Sequence, residues 1–183
     1  MSALAGALRR AGELLVEPAP SFRPGRMESL EVVITALAAG AGATTVSRGL
    51  ACALRRSRPV EMIEAGQVGF VAAGPGVAVV RDLVPSETGH LHHRGPGRVL
   101  VAVADGRREP ALAALVRDAL AARHERVVLV ANRARDVTAW SECGALCVPD
   151  SRLGAWLVHR GRWPLGAVGA AFDALAVHVR EAR

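Results

Sequence analysis

From residue 31 onward the chain alternates between two hydrophobic patterns. Largely apolar runs recur as EVVITAL (31–37), PVEMIEA (59–65), GVAVVRDL (76–83), RVLVAVA (98–104), RVVLVAN (126–132) and GALCVPD (144–150). These predict six strands. Elsewhere apolar residues return every three to four positions, the spacing of a helix with one buried face. Residues 44–56 predict a helix with Val46, Leu50, Ala53 and Leu54 inward. Residues 109–123 predict one with Leu112, Leu115, Val116, Ala119 and Leu120 inward. Residues 165–180 predict a third, with Val168, Ala171, Phe172, Leu175 and Val179 inward. Strands that are apolar without alternation are buried on both faces, as in a parallel sheet covered by helices. The expected fold class is therefore α/β: a three-layer, doubly wound, mostly parallel sheet with helices on both faces.

Upstream the pattern changes. Residues 1–15 predict a short N-terminal helix with Leu4, Leu8, Ala11 and Leu15 on one stripe. Residues 16–29, VEPAPSFRPGRMES, are rich in proline and read as a linker. The α/β domain then spans 30–183, with no internal repeat.

Composition narrows this picture. A chain of 183 residues suits one domain with a real core. Aromatics make up only 3% and tyrosine is absent, so small aliphatic side chains must build that core. The formal net charge is +6. Such a balance favours nucleic acid, anionic lipid or acidic partners. The arginines are dispersed, however, with Arg55, Arg56 and Arg58 the tightest group and Arg133 and Arg135 a looser one. A solvated basic surface is the plainer reading. Cys52, Cys143 and Cys147 are an odd number without a secretory signal, which predicts a reduced, cytoplasmic protein. Cys143 and Cys147 lack a second pair for zinc, and His90, His92 and His93 read as loop residues. The longest uncharged run, Val32 to Ser47, is too short to span a membrane.

The chemistry concentrates at strand ends. Gly40-Ala41-Gly42-Ala43-Thr44-Thr45 lies between a buried strand and a helix start. Backbone N–H groups and the helix dipole favour an anion at such a turn. A catalytic phosphate loop also uses a lysine for the β- and γ-phosphates. Ala43 stands in that place, and all 23 basic residues of the chain are arginine. Glu64, Asp82, Asn132-Arg133 and Pro149-Asp150 follow at the ends of later strands. Ligands of open α/β sheets bind outside those ends.

In order and spacing these residues resemble the MinD/ParA family of deviant Walker A ATPases, over about residues 31–180. The family loop runs Lys-Gly-Gly-x-Gly-Lys-Thr-Thr. Here it reads Ala38-Ala39-Gly40-Ala41-Gly42-Ala43-Thr44-Thr45, so both lysines and one glycine are replaced. The resemblance implies a P-loop NTPase-like fold and ATP or ADP with Mg²⁺ as the ligand, Thr44 and Asp82 meeting the metal. It implies that Thr45 lies beside the α-phosphate and that Glu64, Asp82 and Pro85 form the switch. It also implies that Asn132, Arg133, Pro149 and Asp150 surround adenine. Only about a dozen residues separate Glu64 from the third strand, where the family carries a longer helical insert.

Phosphoryl transfer rests on positioning and charge, so losing both lysines argues against turnover. Arg48 falls one helical turn along and is expected to face away from the loop. The expected function is a degenerate family member, a pseudo-ATPase that regulates or positions by dimerising or docking on a protein partner. Alternatives are a weak or trans-completed ATPase and a module for nonspecific DNA. A dinucleotide fingerprint formed by Gly40, Gly42 and Glu64 leaves Asn132 and Pro149-Asp150 unexplained. The last helix lacks the basic polar face of a membrane-surface element.

Overall fold

A computed structural model describes residues 29–67, 74–83 and 97–181. The expected N-terminal helix, the linker up to residue 28, Pro85 and the histidines at 90, 92 and 93 lie outside the described residues. Six strands form one sheet: β1 (Leu30–Ala36), β2 (Val60–Ile63), β3 (Ala78–Leu83), β4 (Arg98–Asp105), β5 (Val127–Ala134) and β6 (Leu146–Pro149). Their order is β2-β3-β1-β4-β5-β6, and every neighbouring pair is parallel. The chain leaves β1 towards one edge and β4 towards the other. The crevice between these adjacent strands is thus a topological switch point.

The helices are α1 (Ala43–Arg55), α2 (Pro110–Ala121), α3 (Val137–Glu142), α4 (Arg152–His159) and α5 (Gly166–Glu181). α1, α4 and α5 cover one face. There Val46, Leu50, Leu54, Val158, Phe172 and Leu175 meet Val32, Ile34, Val101 and Val130 of the strands. α2 and α3 cover the other, with Ala113 and Trp140 packed over Ala102, Leu129 and Ala131. Successive strand residues point to opposite faces, so β4 and β5 supply both cores and need apolar residues at nearly every position. The three-layer α/β fold is as the patterning predicts. Small aliphatics fill most of it, and the few aromatics are placed where they count: Trp140 and Phe172 are the largest fully buried side chains. The Phe172 ring lies where a Cβ at Gly49 would sit, so α5 seats its phenylalanine directly on the α1 backbone.

Three elements differ from the pattern-based expectation. α2 turns a different face inward. Leu112 and Leu115 are each 68% exposed, and Val116 is exposed as well, while Ala113 is buried and Leu120 partly so. Arg117 shares the inward face with Ala113 and Leu120, and its guanidinium donates to the Cys143 carbonyl at 2.6 Å. The short helices α3 and α4 are also additional to the expected set. Both carry a cap that the sequence displays: Asp136 accepts from the Ala139 N–H and Ser151 from the Gly154 N–H, each at 3.0 Å. Such oxygens satisfy amides the first helical turn leaves open.

Candidate functional site

The loop after β1 is shaped by two left-handed glycines, Gly40 (φ 73°) and Gly42 (φ 88°). Gly42 occupies the N-cap of α1 and supplies no side-chain cap. Its place admits no side chain for a second reason, because a Cβ there would overlap the Asn132 amide. Asn132 is itself buried at the end of β5, and its Nδ2 donates to the Ala41 carbonyl at 2.9 Å. Ala41 and Ala43 are buried too, so the loop is packed rather than open at those positions.

Arg133 reaches the same loop from the next residue. The β5–β6 register shifts between Asn132 and Ala134, and Arg133 adopts φ 62° there. A bulge of this kind re-aims a side chain. Arg133 Nη2 donates to the Gly40 carbonyl and pairs with Asp105 Oδ2 at 3.2 Å. Asp105, the last residue of β4, also takes Arg107 in a two-pronged contact at 3.0 and 2.9 Å. These partners, Arg107 foremost, hold the Asp105 carboxyl below the usual carboxylate range despite its partial burial.

Six of the expected residues line one cavity of about 330 Å³: Gly42, Thr45, Asn132, Arg133, Pro149 and Asp150. It opens at the carboxyl ends of β5 and β6, beside the start of α1. Arg107, Arg135 and Arg152 complete its charged wall. Sequence reasoning missed Asp105, Arg107 and Arg152. Asp105 follows the same strand-end rule as Asn132, one residue beyond the apolar run used to mark the strand.

Thr44 and Asp82 form a second group under the loop. Asp82 is only 3% exposed, and its Oδ2 has no hydrogen-bond partner among the described residues. Burial pushes its carboxyl up, opposed by hydrogen bonds from Thr44 and Ser47. One carboxylate and one hydroxyl provide hard oxygen donors suited to Mg²⁺. Among the described residues no group of three or more metal-ligating side chains exists.

Glu64 faces a different cavity, yet its charge reaches Asp82 and helps to raise that carboxyl. Glu64 Oε1 accepts from Arg48 at 2.6 Å, on this separate cavity of about 400 Å³. Arg48 also meets His159 Nδ1 at 2.9 Å, and His159 Nε2 meets Thr45 Oγ1 at 3.1 Å. A guanidinium has no acceptor. It therefore fixes Nδ1 as the acceptor and places the imidazole proton on Nε2, pointing at Thr45. The chain Thr45–His159–Arg48–Glu64 ties α4 to the first turn of α1. It also occupies Arg48, whose guanidinium is bonded to Glu64 and His159.

Compared with protein-family models, with curated proteins and with solved structures, the chain gives no match. Function therefore has to be argued from the site. No helix among the described residues is long and apolar enough to cross a membrane.

Proposed function

We propose that the chain is a degenerate MinD/ParA-like protein, a pseudo-ATPase that regulates or positions a protein partner without turning over ATP. One observation carries the reading. The position of the phosphate-loop lysine is a buried alanine, Ala43, at the start of α1. The cation bonded to the loop, Arg133, grips the carbonyl of Gly40 and is neutralised by Asp105. A guanidinium spent on the loop's own backbone does not cradle a transferring phosphoryl group. Losing one donor aimed at transition-state charge costs about 3–4 kcal/mol, and this loop lacks two lysines.

What remains is a binding fold. Thr44 and Asp82 are the oxygens that a Mg²⁺ carried in by ATP or ADP would meet. The metal would supply charge neutralisation, while Asn132 and Arg133 keep the loop shut around its own carbonyls. The exposed apolar face of α2, with Leu112, Leu115 and Val116, supports docking as the mode of action. Contiguous apolar surface of this sort marks interaction sites.

The test is a paired measurement on the full chain: fluorescent-ATP titration with Mg²⁺, and phosphate release at saturating ATP. The expected result is no release above the protein-free rate. Magnesium-dependent turnover would overturn the reading.

A further inference from the structure

We propose that the cavity at the carboxyl ends of β5 and β6 is an anion subsite, gripping the phosphate of a small phosphorylated ligand through Arg135 and Arg152. This deepens the function proposed above and rests on it for the site being a place of binding rather than turnover.

The argument is one of charge and commitment. Four guanidiniums line the cavity: Arg107, Arg133, Arg135 and Arg152. The carboxylates that face them are Asp105 and Asp150. Asp105 is shared by Arg107 and Arg133, and Arg133 is further tied to the Gly40 carbonyl. Those two arginines are structural ties. Arg135 is held more loosely: it pairs with Asp150 at 4.0 Å, and its side chain is 73% exposed. Arg152 makes no ion pair among the described residues, although it stands on the cavity wall at the first position of α4. One loosely paired and one unpaired arginine therefore border a cavity of about 330 Å³.

A neutral base alone would leave that charge unanswered. The Asn132 amide, the group best suited to reading a base edge, already spends one hydrogen on Ala41. A phosphate suits the site better. Guanidinium forks match its oxygens in pairs, and Thr45, whose Oγ1 meets His159 Nε2, also lines the cavity. The cavity volume of about 330 Å³ suits a small molecule.

The experiment is calorimetric titration of the full chain with AMP, inorganic pyrophosphate and adenosine at low and high salt. The same titrations are run on the double variant Arg135→Ala/Arg152→Ala and on Arg123→Ala, an exposed arginine beyond the end of α2. AMP and pyrophosphate should bind and adenosine should not. The double variant should weaken AMP at least tenfold, while Arg123→Ala changes it less than twofold. Circular dichroism checks that the variants keep their fold; both replaced side chains lie at the surface. The inference is overturned if adenosine binds as tightly as AMP, if the double variant binds normally, or if none of the phosphate probes binds. Retention of duplex DNA without AMP binding overturns it as well. Phosphate release from ATP, read in parallel, would sink the pseudo-ATPase reading by itself and leave the arginine result to be judged separately.

Discussion

Asn132 Nδ2 donates to the carbonyl of Ala41 at 2.9 Å, joining the end of β5 to the loop after β1 across 91 positions of sequence. Both residues are buried. The bond fixes the loop whose shape depends on Gly42.

Removing that bond should be costly. Asn132→Ala leaves the Ala41 carbonyl buried without its donor, a loss of about 1–3 kcal/mol. Gly42→Ala should destabilise through the same contact, because its Cβ would overlap the Asn132 amide and φ is 88°. Urea unfolding measures both. An Asn132→Ala variant as stable as the parent would show that the bond contributes nothing.

Much of this was legible in the sequence, for identifiable reasons. Apolar runs gave the inner strands, since strands buried on both faces cannot alternate; the edge strand β2, with Glu61 exposed, is only partly apolar. The inward faces of α1 and α5 followed from period alone, Val46, Leu50 and Leu54 in one and Phe172 and Leu175 in the other. The strand-end rule brought Asn132, Pro149 and Asp150 to one cavity with Gly42 and Thr45. Two details were not legible: α2 turns its Arg117 face inward, where Arg117 bonds to Cys143, and the aim of Arg133 follows from a bulge between β5 and β6. Neither a tertiary hydrogen bond nor a register shift leaves a periodic trace. The helices α3 and α4 were missed because six and eight residues are too short for periodicity, although their caps at Asp136 and Ser151 were visible.

Trp140 offers a second test of the back layer. Its ring is buried between α3 and the sheet, and Nε1 donates to the Gly106 carbonyl at 3.0 Å. Trp140→Phe keeps most of the volume and loses the donor, which should cost about 1–3 kcal/mol. Trp140→Ala adds a cavity, for a total of about 3–5 kcal/mol. Denaturant midpoints at constant slope distinguish the two. A Trp140→Phe variant as stable as the parent would mean that the hydrogen bond carries none of the stability.

Leu112 and Leu115 should behave in the opposite way. Their exposure means that Leu112→Ser/Leu115→Ser leaves the isolated protein within about 0.5 kcal/mol per site of the parent. Partner docking should suffer instead. Co-purification from the native host with and without the double change reads this directly. A large loss of stability in the purified variant would mean that the α2 face is packed in solution and is not a docking surface.

Two carboxylates give the stability–pH profile opposite slopes. Asp105 is held below its ordinary value of 3.8, chiefly by Arg107. The unfolded chain therefore binds this proton more readily, and stability rises with pH in the interval below 3.8. Asp82 is pushed above 3.8 by burial. Here the folded chain holds the proton more tightly, so stability falls as pH rises through the interval above 3.8. Asp82→Asn should accordingly raise the melting temperature at neutral pH and flatten the decline on that side. Asp105→Asn should lower the melting temperature at neutral pH, because it releases Arg107 and Arg133, and should remove the rise on the acid side. Thermal unfolding of both variants from about pH 3 to pH 7 resolves the two limbs. If Asp82→Asn lowers stability at neutral pH, the ionised Asp82 carboxylate has a stabilising partner in solution and its burial is not a net cost.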